Sequence, residues 1–236
     1  MCNESNQLSR RAMLGSAAAI GLTLPVTGMA HGMANQGSPP PMITNPDDAL
    51  EALMNGNRRF IEGDMHDHDH EAAKKRGASG QSPFAAFIRC ADSRVAPEIV
   101  FDQTIGELFV CGVAGNIPTS EIVASLEYAV AVLETPLVVV MGHSNCGAVE
   151  AAIEHQNDVM ALPGQLPGLV TELLPAAINS KGAEDRLAKA VELNVEYGIG
   201  RIPKDSTVIS EAVDAGKCRV VGGVYDLASG AFTLVG

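Results

Sequence analysis

Tryptophan is absent from this 236-residue chain, and aromatic residues make up only 4% of it. Its core must therefore be aliphatic, built from Ala, Val, Ile and Leu. Basic side chains are also scarce, 16 Lys and Arg against 28 Asp and Glu, giving a formal net charge of −12. No Lys/Arg block occurs, which argues against nucleic acid as a partner, because grip on a phosphate backbone needs clustered positive charge. A long hydrophobic run is missing too. The weakly apolar stretch from Ala12 to Thr27 is short and rich in Ala and Gly, so it is a poor membrane anchor. What remains is 46% apolar and 19% charged, the balance of a soluble globular protein with one well-buried domain.

The first 30 residues differ in kind from the rest. Ser9-Arg10-Arg11 precedes the Ala12–Thr27 stretch, and Gly28-Met29-Ala30 supplies small residues for cleavage after Ala30, with Ala34 as the alternative. This is the pattern of an export signal, and the paired arginines followed by Met13-Leu14 resemble the twin-arginine type. The mature chain is then expected outside the cytoplasm, in the periplasm, and not in the membrane. Residues 31–44, with Pro39-Pro40-Pro41, read as a Pro-rich linker, and residues 45–236 as the single domain.

Cys2 leaves with the signal, and Cys90, Cys111, Cys146 and Cys218 stay. An even count in an oxidising compartment invites disulfides. The domain is too large to need them, and two of the four sit in patterns better explained by a metal.

Asn45-Pro46-Asp47-Asp48 starts a helix with Leu50, Leu53, Met54, Phe60 and Ile61 as its apolar stripe, interrupted at Asn55-Gly56-Asn57. A polar loop is expected from there to Gly80. Four apolar runs follow: Phe84–Ile88, Leu108–Val113, Leu137–Met141 and Arg219–Tyr225. Uninterrupted runs of this length suit parallel strands covered on both faces. Helical patterns lie between them, one capped by Ser120, one from about Ala183 to Tyr197 and one starting at Ser206. The chain is thus expected to be α/β, a mostly parallel four-stranded sheet flanked by helices, with Ala231–Val235 as an antiparallel edge strand.

Two motifs fall at the carboxyl ends of these strands, where open α/β sheets hold their ligands. Cys90-Ala91-Asp92-Ser93-Arg94 follows the first, and Gly142-His143-Ser144-Asn145-Cys146-Gly147 follows the third. His143 and Cys146, three apart where strand turns to helix, can point at one ion, and Cys90 can reach it from a neighbouring strand. Two thiolates and one imidazole with an open fourth position form a catalytic zinc set, whereas structural sites are closed by a fourth ligand. Zinc lowers the pKa of its water, although two thiolates offset much of its charge, so neighbouring help is needed. Asp92 can accept a hydrogen bond from the resulting hydroxide. Arg94 can pair with Asp92 and keep it from closing the site as a fourth ligand.

Cys-x-Asp-x-Arg followed about fifty residues later by His-x-x-Cys resembles the β-class carbonic anhydrases. Leu53–Phe60, Gln81-Ser82-Pro83-Phe84, Val95–Phe101, Ala114-Gly115-Asn116 and Gly222-Gly223-Val224-Tyr225-Asp226 extend the similarity, so that it covers roughly residues 47–236. The resemblance implies that Cys90, His143 and Cys146 hold one Zn²⁺ per chain, with Asp92 and Arg94 as the dyad that opens and closes the site and Asp92 a ligand only when closed. It implies reversible hydration of CO₂ to bicarbonate by zinc hydroxide, in a homodimer or larger homo-oligomer. Related enzymes acting on carbon disulfide or carbonyl sulfide use the same ligands, and a non-catalytic zinc-binding protein is a further alternative, against which the retained Asp92 and Arg94 speak. One position departs: where many members have an Arg shortly before the Ala-x-Asn stretch, this chain has Cys111-Gly112. That arginine takes part in bicarbonate inhibition in a subset of the family, so such control is not expected here.

His66, His68 and His70 alternate with Asp67 and Asp69. A solvated acidic loop is the favoured reading, and an accessory metal-capturing loop the alternative. Cys111 and Cys218 read as inert buried thiols and His155 as a surface histidine rather than a proton shuttle. Tyr225 and Asp226 read as packing and turn residues.

Overall fold

The computed structural model describes residues 42–235; the expected export signal and nearly all of the Pro-rich linker lie outside them. Five strands form one sheet in the order β2-β1-β3-β4-β5. They are β1 Ala85–Arg89, β2 Leu108–Gly112, β3 Leu137–His143, β4 Arg219–Tyr225 and β5 Phe232–Leu234. The first four are mutually parallel, and β5 pairs antiparallel with β4, as expected for a parallel sheet closed by one edge strand. Every residue of β3 is buried, which explains why that run carries no polar alternation.

Among the described residues eight α-helices surround the sheet: α1 Pro46–Glu62, α2 His70–Gly77, α3 Pro97–Val100, α4 Ser120–Val132, α5 Gly147–Glu154, α6 Leu166–Asn179, α7 Arg186–Asp205 and α8 Thr207–Asp214. One sheet face packs Phe87, Val139 and Met141 against Leu53 of α1 and Phe101 after α3. The other packs Ile88, Val138 and Val140 against Leu126 of α4, Val195 and Ile202 of α7 and Ile209 of α8. The few aromatic residues are concentrated: Phe101 stacks 5.3 Å from Phe87 and 5.1 Å from Phe232. Helix α7 approaches the sheet closely because Gly142 and Gly222 face Val195; a Cβ at either would come within 2.7 Å of that side chain.

Two expectations are corrected. Helix α1 runs unbroken through Asn55-Gly56-Asn57. Local propensity is overridden by packing there: Gly56 admits the Phe101 carbonyl, and Asn57 Nδ2 donates to the carbonyls of Val100 and Gly230 at 3.1 and 2.8 Å. The region up to Gly80 is not all loop, since it contains α2. Asp69 caps that helix by accepting the Ala72 N–H at 2.9 Å, with Glu71 in the first turn and Lys74, Lys75 and Arg76 in the last, complementing the helix dipole. Smaller shifts concern bounds. Thr119, not Ser120, is the N-cap of α4, and α7 continues to Asp205, beyond the expected Tyr197. Ser206 does cap α8, accepting the Ile209 N–H at 3.1 Å. Among the described residues no helix is long and apolar enough to cross a membrane.

Candidate metal centre

From β1 the chain moves to one side to make β2, then to the other side to make β3. The crevice at the carboxyl ends of β1 and β3 is therefore a topological switch point, where open α/β sheets bind ligands. Arg89 is in register with Met141, so Cys90 emerges next to the strand that ends at His143. After β3 the backbone turns sharply, with Asn145 at φ 54°, and Cys146 becomes the N-cap residue of α5. These turns bring Cys90, His143 and Cys146 together, all buried, with their ligating atoms within 4.8 Å of one another.

The residues fit a zinc ion. The two sulfurs are 3.9 Å apart, and two thiolates each 2.3 Å from one tetrahedral ion would be separated by about 3.8 Å. His143 Nδ1 lies 2.9 Å from the Ser144 carbonyl, which can only accept, so Nδ1 carries the proton and Nε2 presents its lone pair. That Nε2 is buried and has no hydrogen-bond partner, an orphaned donor atom facing two thiols. The neighbouring Cys146 sulfur draws the Cys90 thiol well below its ordinary value against the effect of burial, assisted by His143 and by the Gly115 N–H, which donates to Cys90 Sγ at 3.3 Å. Cys146 is pushed up by the same contact and by burial.

Asp92 stands at the rim. Arg94 grips it through a bidentate fork, Nε to Oδ1 at 2.9 Å and Nη2 to Oδ2 at 2.7 Å, and the Arg94 backbone N–H donates to Oδ1 at 2.9 Å. The Arg94 guanidinium holds the Asp92 carboxyl well below the usual carboxylate range. Oδ2 is 3.8 Å from His143 Nε2, beside the ligand cluster yet engaged by arginine. All five residues singled out in the sequence are therefore gathered in one place.

The sequence reading missed what supports them. Asn194 of α7 donates to the Gly115 carbonyl at 2.8 Å, and Gly115 in turn donates to Cys90 Sγ. Gly115 has φ 75° and a Cβ there would meet Leu173 at 2.8 Å, so glycine is required twice over. A buried asparagine on an otherwise apolar helix face was the available signal. At the departing position, Arg89 lies over Gly112: a Cβ on Gly112 would sit 3.3 Å from the guanidinium carbon. Arg89 also donates to the Cys90 carbonyl at 2.7 Å, so an arginine braces this region from β1 instead of β2. Cys111 and Cys218 are buried free thiols whose pKa values burial raises, to about 11 for Cys218. Cys218 precedes β4 rather than lying within it. His155 caps the end of α5 and lies 3.1 Å from Asp158.

Comparison with known proteins agrees with this geometry. Residues 85–232 match the family model described as carbonic anhydrase. Carbonic anhydrase 2 of Mycobacterium tuberculosis is 39% identical over 191 residues, covering 79% of this chain and 91% of that protein. A β-carbonic anhydrase of Coccomyxa, solved with acetazolamide, is similar with a TM-score of 0.63 and 28% identity, covering 78% of this chain and 85% of that one. A tetrameric β-carbonic anhydrase of Sordaria macrospora gives a TM-score of 0.62 at 27% identity, covering 80% of this chain and 98% of that one. With the sheet order, the Cys₂His cluster and these likenesses in agreement, the chain belongs to the β-class carbonic anhydrase family.

Proposed function

We propose that this chain catalyses the reversible hydration of carbon dioxide to bicarbonate and a proton, with one zinc ion held by Cys90, His143 and Cys146. The observation that carries the reading is the Arg94 fork on Asp92, which leaves three converging donors and a free fourth position. Zinc supplies, when bound, the acidification of water that yields a nucleophile near neutral pH. Cys90 and Cys146 provide the negative charge that retains the ion, and His143, fixed by the Ser144 carbonyl, directs Nε2 at it. Asp92, kept ionised by Arg94 and 3.8 Å from His143 Nε2, could accept a hydrogen bond from water held there and orient its lone pair for CO₂. Arg94 also prevents Asp92 from taking the fourth position itself. If that pairing opened, Asp92 could turn to the ion as a further ligand and shut the site.

The export-type start around Arg10-Arg11 supports a periplasmic location for the mature chain of residues 31–236, with the Pro-rich stretch to 44 as its linker. The tetrameric relative and several exposed apolar side chains, Ile99, Val132 and Met160 among them, support a homodimer or larger assembly. Stopped-flow CO₂ hydration by the zinc-loaded chain is the direct test. A rate far above background that climbs from neutral to mildly alkaline pH is expected. A folded chain with one zinc and no such rate at any pH would remove the activity.

A further inference from the structure

We propose that His66, His68 and Asp102 form a second metal site, separate from the Cys₂His centre, that takes a divalent transition cation of the zinc type. The sequence alone places two histidines in an acidic stretch. The fold supplies a third partner from a distant element. Helix α1 ends at Glu62, and Gly63 follows in the left-handed region at φ 71°. The connection to α2 then runs back against the turn after α3, where Asp102 takes φ 49° and its side chain is fully buried.

His68 Nε2 lies 2.8 Å from Asp102 Oδ1, and His66 Nδ1 lies 3.5 Å from Oδ2. One ligand atom from each residue falls within a 4.8 Å cluster. Two ligand atoms about 2.0 Å from a tetrahedral zinc lie about 3.3 Å apart, so the His68–Asp102 pair would open by about half an ångström to admit an ion. The His66 backbone N–H donates to both carboxylate oxygens at 3.2 Å, and Arg59 pairs with Oδ2. These contacts fix the carboxylate and keep it ionised, while Oδ1 faces His68. His68 is 18% exposed and His66 62%, so the cluster has a buried floor and an open outer side where water can complete the coordination. Its neighbour His70 stands apart, with Nδ1 3.3 Å from Thr104 Oγ1.

Two imidazoles and one carboxylate select zinc, copper, nickel or cobalt over magnesium or calcium, whose coordination is all oxygen. Without thiolates, this site binds more weakly than the Cys₂His centre and fills second. Occupied, it ties the α1–α2 connection to the turn between α3 and β2.

Cobalt(II) titrated into the metal-free full-length chain separates the two sites. The first equivalent should give the intense sulfur-to-cobalt absorption of a thiolate site, and a second should bind with no further gain in that band. His66→Ala and His68→Ala should each lose the second equivalent and keep the first with its sulfur band intact. His66→Ala removes only an exposed ring and leaves the Arg59–Asp102 pair in place, so its loss of cobalt, with an unchanged circular dichroism spectrum, is not unfolding. One equivalent in the unmodified chain, or two in both variants, would overturn the proposal.

Discussion

Arg94 is more than half exposed, yet its fork occupies both oxygens of Asp92 beside the buried cluster. Two parallel hydrogen bonds fix the plane of the carboxylate as well as its charge, which a lysine could not reproduce. Arg94→Ala should therefore fold and keep its zinc but lose roughly 10- to 100-fold in CO₂ hydration, the usual cost of removing a group that orients a metal site's neighbours. Arg94→Lys should recover little. Metal content by mass spectrometry alongside stopped-flow rates checks this, and a variant with full turnover would remove the fork from the mechanism.

At the same scale, Asp102 makes a prediction about acid. Burial raises its pKa, but Arg59, His68 and the His66 N–H together outweigh burial and hold it below the usual range. A carboxyl depressed on folding contributes stability above its unfolded value of 3.8, and that contribution is lost as pH falls through the folded value. Asp102→Asn should cost about 3 kcal/mol at neutral pH, near the low end for breaking a buried pair, because Arg59 retains some access to water. The difference from the unmodified chain should narrow as pH falls below 3.8. Urea unfolding at several pH values measures it, and a gap that does not change with pH would mean the loss is steric.

Among the elements, α1 shows how a segment that looks broken can be a docking surface. Gly56 would place a Cβ 1.8 Å from the Phe101 carbonyl oxygen, an obstruction in backbone that has no rotamer to yield. Gly→Ala within an exposed helix stabilises by about 1 kcal/mol. Here the sign should reverse, to a loss of roughly 3 kcal/mol, the upper part of the range for overpacking. A thermal melt settles the sign. Asn57, next along, links α1 to three other places at once, donating to Val100 and Gly230 and accepting the Phe232 N–H at 2.9 Å. The Asn-Gly-Asn triplet is therefore the contact that holds α1 against both α3 and the edge strand β5. Helix α6 was hidden for a different reason: Pro175 lies inside it, and packing of Val170, Leu173 and Ala177 beside Cys90 and Cys146 holds it as a helix.

For the whole molecule, the small share of aromatics is resolved by placing three phenylalanines together on one sheet face and filling the other with branched aliphatic chains. Ile99 and Val132 are more than half exposed in the single chain, surface better covered by a second copy. Light scattering should give a mass of at least two chains. A monomer that hydrates CO₂ at full rate would show that the site needs no neighbour.

The sequence by itself determined the parallel sheet, since runs such as Leu137–Met141 have no polar side to turn outward, and it singled out the two thiols and the imidazole at two strand ends that the fold gathers. Tertiary structure decided what lies far apart along the chain. The order β2-β1-β3 put Cys90 beside His143, Asn194 reached Gly115 and through it Cys90, and Asp102 rather than His70 joined His66 and His68. Periodicity reports only which face of an element is apolar. Which faces meet, and which polar groups are trapped between them, depends on how the sheet and helices pack, and no local pattern encodes it.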